Sequence, residues 1–119
     1  MYNKIVIGEK EVPMLSMASV DLYYRNIFHE DPIKLQTQGM EDADAINFII
    51  RMGFVMAKFA ELKDRKEMAK LNEDTFLDWL DQFERNEILA ALPDVQKAYE
   101  GQMVTGAQAK KNNGEQTDE

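Results

Sequence analysis

The residues best equipped for chemistry stand together at His29-Glu30-Asp31, where the single histidine of the chain precedes two carboxylates. An imidazole beside carboxylates can relay protons or hold a metal ion. A metal site needs further ligands at set spacing, and the chain has no second histidine and no cysteine. The run is read instead as a solvated helix end. A second acidic set, Glu73, Asp74, Asp78, Asp81 and Glu84, has the charge to attract a hard cation. It lacks the alternating oxygen ligands and central glycine of a calcium loop, so it reads as the outer face of a helix. Nothing marks a cleft that would separate the pKa values of a catalytic carboxylate pair.

Nucleophilic catalysis is equally unsupported. Ser16 or Ser19 is placed to cap a helix, and no serine sits in a glycine-flanked elbow. The six glycines are scattered, which leaves no phosphate-cradling loop. Lys58, Lys63, Arg65, Lys66 and Lys70 are interleaved with Glu61, Asp64 and Glu67. Binding to phosphates draws on unopposed Lys and Arg, whereas this chain has 22 acidic against 14 basic residues and a net charge of -8. No enzyme, cofactor, metal or nucleic acid is expected. The carboxylate excess favours solubility and a basic protein partner.

With 119 residues, 45% of them hydrophobic, the chain has the material for one domain with a real core. The lack of cysteine removes disulfides and fits a reducing compartment. Residues Met1 to Pro13 do not have the basic and apolar regions of a signal peptide. No apolar run approaches the roughly 18 residues of a membrane span. A cytoplasmic protein with no membrane partner is expected. After Gly101 only Met103 and Val104 are large and apolar. The expected organisation is a helical domain over residues 1–100 and a flexible polar tail over 101–119.

The fold class read from the pattern is mainly α (α+β), with four to five helices after a short N-terminal β-hairpin. Lys4-Ile5-Val6-Ile7 reads as a strand, Gly8-Glu9-Lys10 as a turn and Glu11-Val12-Pro13-Met14 as the return. Pro13 makes the second strand an edge or nearly its end. Met17, Val20, Tyr24, Ile27 and Phe28 share one face of a first helix that stops near His29-Glu30-Asp31. Pro32 can open a short turn through Leu35, followed by a loop around Gly39. The longest helix begins near Asp42 or Asp44 and runs to about Lys66. From Ala45 to Ala60 its strongly polar residues are only Asn47, Arg51 and Lys58, so it reads as the central helix, covered by the others. Gly53 suggests close approach by a neighbour. Asn72 reads as the cap of a helix whose apolar face is Phe76, Leu77, Leu80 and Phe83, with Trp79 at its edge. Asn86 can start another turn, and Pro93 breaks the pattern or begins a final helix that stops at Gly101. Because Tyr23 is adjacent to Tyr24, it is placed at the rim if Tyr24 is core. The eight methionines read as adaptable core filler.

This order of parts resembles a known family. Lys4-Ile5-Val6-Ile7-Gly8 with Glu11-Val12-Pro13 comes first, then Leu22-Tyr23-Tyr24-Arg25-Asn26-Ile27-Phe28 followed by Glu30-Asp31-Pro32. Phe54-Val55-Met56-Ala57 follows, then Asp74-Thr75-Phe76-Leu77-Asp78-Trp79-Leu80-Asp81-Gln82-Phe83. Over about residues 2 to 100 the chain is similar to the tail assembly chaperones of long-tailed bacteriophages and prophages of Gram-positive bacteria. The motifs are apolar and aromatic patterns rather than a catalytic signature. The resemblance implies a helical, non-enzymatic protein of the host cytoplasm, absent from the mature virion. It implies that the chain binds the tape measure protein, keeps it soluble and helps the tail tube protein polymerise around it. Tyr23, Phe28, Phe54, Trp79 and Phe83 are the candidate partner contacts. Members often have a longer frameshifted product that recruits the tail tube protein, and Lys110-Lys111-Asn112 is compatible with a slippery run of A bases. The competing reading is a minor structural tail or head-completion protein acting as an interaction module.

Overall fold

A computed structural model describes residues 2–100. The expected stop at Gly101, the tail over 101–119 and the frameshift position Lys110-Lys111-Asn112 lie outside the described residues. Among the described residues two strands, β1 (Tyr2–Ile7) and β2 (Lys10–Leu15), are followed by six helices: α1 (Val20–Phe28), α2 (Pro32–Gln38), α3 (Asp42–Leu62), α4 (Arg65–Met68), α5 (Glu73–Leu80) and α6 (Arg85–Glu100). The mainly helical fold with an N-terminal hairpin matches the sequence reading. The short helices α2 and α4 raise the number above the four to five expected.

The hairpin is longer than its β-branched centre suggested because its loop is only Gly8-Glu9. Gly8 has φ 66°, a value that the first position of a tight hairpin turn requires and that glycine reaches at no steric cost. A side chain at this position would also run into the Glu87 carboxylate of α6. Alternation then sorts the faces. Ile5, Ile7 and Met14 are buried, while Lys4, Val6, Glu11 and Pro13 are exposed. Pro13 pairs with Lys4. Counting from the two-residue loop makes this a non-hydrogen-bonded pair, so the missing N–H of Pro13 faces outward and the strand continues past it. Two strands are marginal alone, and these lean on α3 and α6.

Local chemistry sets the helix ends. Asp31 accepts from the N–H groups of Ile33 and Lys34 at 3.0 and 3.4 Å, and Pro32 occupies the first turn of α2. That helix runs on to Gln38, where a loop was expected. Asn72 and Thr75 form a reciprocal capping box at the start of α5. Three expectations fail. Ser19 stands at the N-cap of α1 but makes no side-chain cap bond, since its backbone is already helical. The hydroxyl of Ser16 reaches instead for the Tyr99 carbonyl at 3.4 Å. The central helix also ends at Leu62 rather than Lys66, because Lys63 turns left-handed at φ 53° and Asp64 caps α4 anew. Pro93 neither breaks nor starts a helix; it lies inside α6. It cannot return an N–H to Leu89, a cost of about 3 kcal/mol in a helix interior. Buried Ile88, Ala91, Val95 and Ala98 on both sides hold the helix together across it.

The core forms around the second half of α3, where Met52 to Ala57 are all buried. Gly53 is the point of closest approach. A Cβ added there would stand 3.1 Å from Val95 Cγ1 and 3.7 Å from Met14 Cε. Gly53→Leu should therefore lower stability by about 1–3 kcal/mol in denaturant melts through overpacking against α6. Unchanged stability would show that α3 and α6 are not packed this closely.

Candidate functional site

The chemically equipped residues are each held to a structural task. His29 is the left-handed cap of α1, exposed, with φ 58° and its N–H donating to the Arg25 carbonyl at 2.8 Å. Asp31 is occupied as the cap of α2. Glu30 turns inward, where Oε1 accepts from Arg51 Nη1 at 3.0 Å and from the Tyr24 hydroxyl at 3.1 Å. Arg51 also lies over the Phe28 ring, 5.1 Å from its centre. Among the described residues no three His, Asp or Glu side chains converge as a metal site would. Glu73, Asp74, Asp78, Asp81 and Glu84 are exposed along and just beyond α5. In the mixed-charge stretch, Lys58 pairs with Glu61 at 3.2 Å and Lys70 with Glu67 at 3.0 Å.

A second polar lock joins distant parts of the chain. The Tyr99 hydroxyl donates to Asp21 at 2.7 Å and accepts from Gln36 Nε2 at 3.1 Å. It ties the end of α6 to α1 and α2. Burial pushes both phenols up from the usual 10. Tyr24 reaches about 12, with the Arg51 hydrogen bond opposing and the Glu30 charge assisting. Tyr99 is raised by burial and by its bond to Asp21.

The five aromatic candidates divide into two groups. Phe28, Phe54 and Trp79 are buried, with Trp79 only 6% exposed rather than at the rim expected of it. Their side chains are spent on the core, so they are not available as a surface without rearrangement. Tyr23 is half-buried and meets Phe59 edge-on at 5.3 Å. Phe83 is also half-buried, 5.2 Å from the Trp79 ring, with Lys10 Nζ 5.3 Å from its centre. Met17 and Leu77, assigned to apolar inner faces, are instead about half exposed, at 51% and 50%.

Phe83 stands between two shallow grooves. One, of about 310 Å³, runs between β2, α3 and α5, with Val12, Pro13, Ala57 and Trp79 in its lining. The other, of about 340 Å³, opens between the first half of α3, the end of α5 and the start of α6. Ile46, Ile50, Leu80, Phe83, Ile88 and Leu89 make it apolar, and Asn47, Asp81 and Arg85 add polar groups. Sequence reasoning passed over Ile46 and Leu89 as ordinary cover. The available signal was that apolar residues take up most of the circumference of α3 from Ala45 onward, which is more than its neighbours bury. No helix among the described residues is long and apolar enough to cross a membrane.

Neither a protein-family model nor a curated protein nor a solved structure matches the chain.

The phenols give a pH signature. Because their folded pKa values lie above 10, the fold favours the neutral forms. The stability they contribute is complete below pH 10 and is lost as pH rises from 10 to about 12, where Tyr24 titrates in the fold. Urea melts should thus show stability falling over this range in the wild type and falling less in Tyr24→Phe. At neutral pH Tyr99→Phe should cost about 0.5–1.5 kcal/mol through the lost bond to Asp21. Equal slopes for wild type and Tyr24→Phe would contradict the burial of that hydroxyl.

Proposed function

We propose that the protein is a tail assembly chaperone, which covers apolar helical seams of a tape measure protein in the host cytoplasm and leaves before the virion is complete. The observation that carries this reading is the apolar groove between α3, α5 and α6 on an otherwise acidic domain. A groove of this kind receives an amphipathic helix by its apolar face. The surrounding carboxylates keep the complex soluble. A long helical protein with exposed seams aggregates before it is enclosed, and a small binder of such seams prevents that. Tail tube protein is then engaged mainly by a longer, frameshifted product that shares this domain. The resemblance of the aromatic pattern to such chaperones supports the same role.

Co-expression tests it. A tape measure fragment should move from the pellet to the soluble fraction when this protein is present, and the protein should be missing from purified virions. A fragment that stays equally soluble without it argues against chaperoning. Its presence in finished particles would favour a minor structural tail or head-completion protein.

A further inference from the structure

We propose that the groove between α3, α5 and α6 selects a partner helix whose apolar stripe is flanked by lysine or arginine. This deepens the chaperone reading and rests on it only in taking the partner to be helical. The apolar part is continuous. Ile50, Leu80 and Phe83 are half-buried and Ile88 is buried, while Ile46 and Leu89 each remain 39% exposed at the margins. Leu77 precedes Leu80 by three residues, which places it on the same side of α5 and extends the strip by one turn. Three of the eight exposed large hydrophobics among the described residues therefore gather here, Ile46 and Leu89 in the lining and Leu77 one turn away along α5.

The margins carry charge of one sign. Between Asn72 and Glu84 there are five carboxylates and no basic residue. Asp81 lines the groove, and Asp78 stands three residues before it on the same helix side. On the opposite wall Asp42 lies one turn before Ile46. Among the described residues, none of Asp42, Asp78 and Asp81 is paired with a cation of this chain, since the ion pairs lie at Glu30, Glu61 and Glu67. Arg85 is the single cation in the lining. An apolar helix with neutral flanks would leave these carboxylates beside a dehydrated seam without compensation. One with acidic flanks would meet like charge, and one with basic flanks satisfies them.

The probe is a synthetic helical peptide of about 18 residues with leucine at i, i+3, i+4 and i+7, made with lysine flanks and again with glutamate flanks. Binding to the full chain is read by fluorescence anisotropy. The lysine peptide should bind about tenfold or more tighter at low salt, with the gap shrinking as salt rises. Asp78→Lys with Asp81→Lys should reverse the preference. Ile46→Glu with Leu89→Glu should weaken both peptides by at least about tenfold, and a circular dichroism melt shows whether the fold is kept. Leu22→Glu, on an exposed residue of α1, should change neither. Equal affinity for the two peptides on the wild type overturns the inference, as does full binding by a folded Ile46→Glu, Leu89→Glu variant. If the peptides fail to discriminate while a tape measure fragment is still kept soluble, the groove chemistry falls and the chaperone reading stands. Clear discrimination without any effect on that fragment gives the reverse.

Discussion

A continuous run of ring contacts holds the helices in place. From Tyr99 on α6 it passes to Phe48 on α3 at 5.8 Å, then to Tyr24 and Phe28 on α1 at 5.2 and 5.0 Å. Phe28 meets Phe76 of α5 at 5.2 Å and Phe54 of α3 at 6.3 Å. Phe54 meets Trp79 at 5.8 Å, and Trp79 ends the run at Phe83, 5.2 Å away. Eight of the 11 aromatic residues take part. Edge-to-face contacts fix angle as well as distance, and each is worth about 0.5–1.5 kcal/mol beyond area burial. With Phe54 fully buried at the junction, α1, α5 and α3 must converge there.

The rest of the arrangement follows from where that run begins and ends. At one end Tyr99 is pinned by Asp21 and Gln36, which closes α6 onto α1 and α2. The hairpin fills the side that the rings leave open, pressing Met14 toward Gly53 while Val95 of α6 approaches the same glycine. At the other end the rings stop at Phe83. Beyond Phe83 no further ring covers the side of α3 that carries Ile46 and Ile50, so the apolar surface of that helix continues into an open groove. The groove is thus a consequence of how far the ring run extends, bordered by an α5 that carries its carboxylates outward.

Elements marked by local chemistry were legible in the sequence. The Asn72 cap, the Pro32 start and the apolar wrap of α3 need only neighbours within a turn or two, and Gly53 announced a close approach that Val95 makes. What could not be read depends on distant partners. Trp79 lies at the edge of its own helical face, yet Phe54 and Phe83 enclose it. Met17 falls outside α1, which begins only at Val20, and Leu77 fits its helical spacing yet stays half exposed. Pro93 looks like a boundary until burial on both its sides is known to outweigh it. Tyr99 and Asp21 are 78 residues apart, and nothing in either segment points to the other. The candidate site shared this fate: Phe83 was legible as an apolar aromatic near a helix end, whereas Ile46 and Leu89 became a surface only through the meeting of α3 and α6.

Hydrogen exchange on the complex with a tape measure fragment tests the central claim, recognition through the face between α3, α5 and α6. Exchange should slow on binding in peptides covering residues 42–50 and 77–89 and stay unchanged in α2, none of whose residues lines the groove. Protection confined to α2 or to the outer face of the hairpin, with no change over residues 42–50 and 77–89, would contradict it.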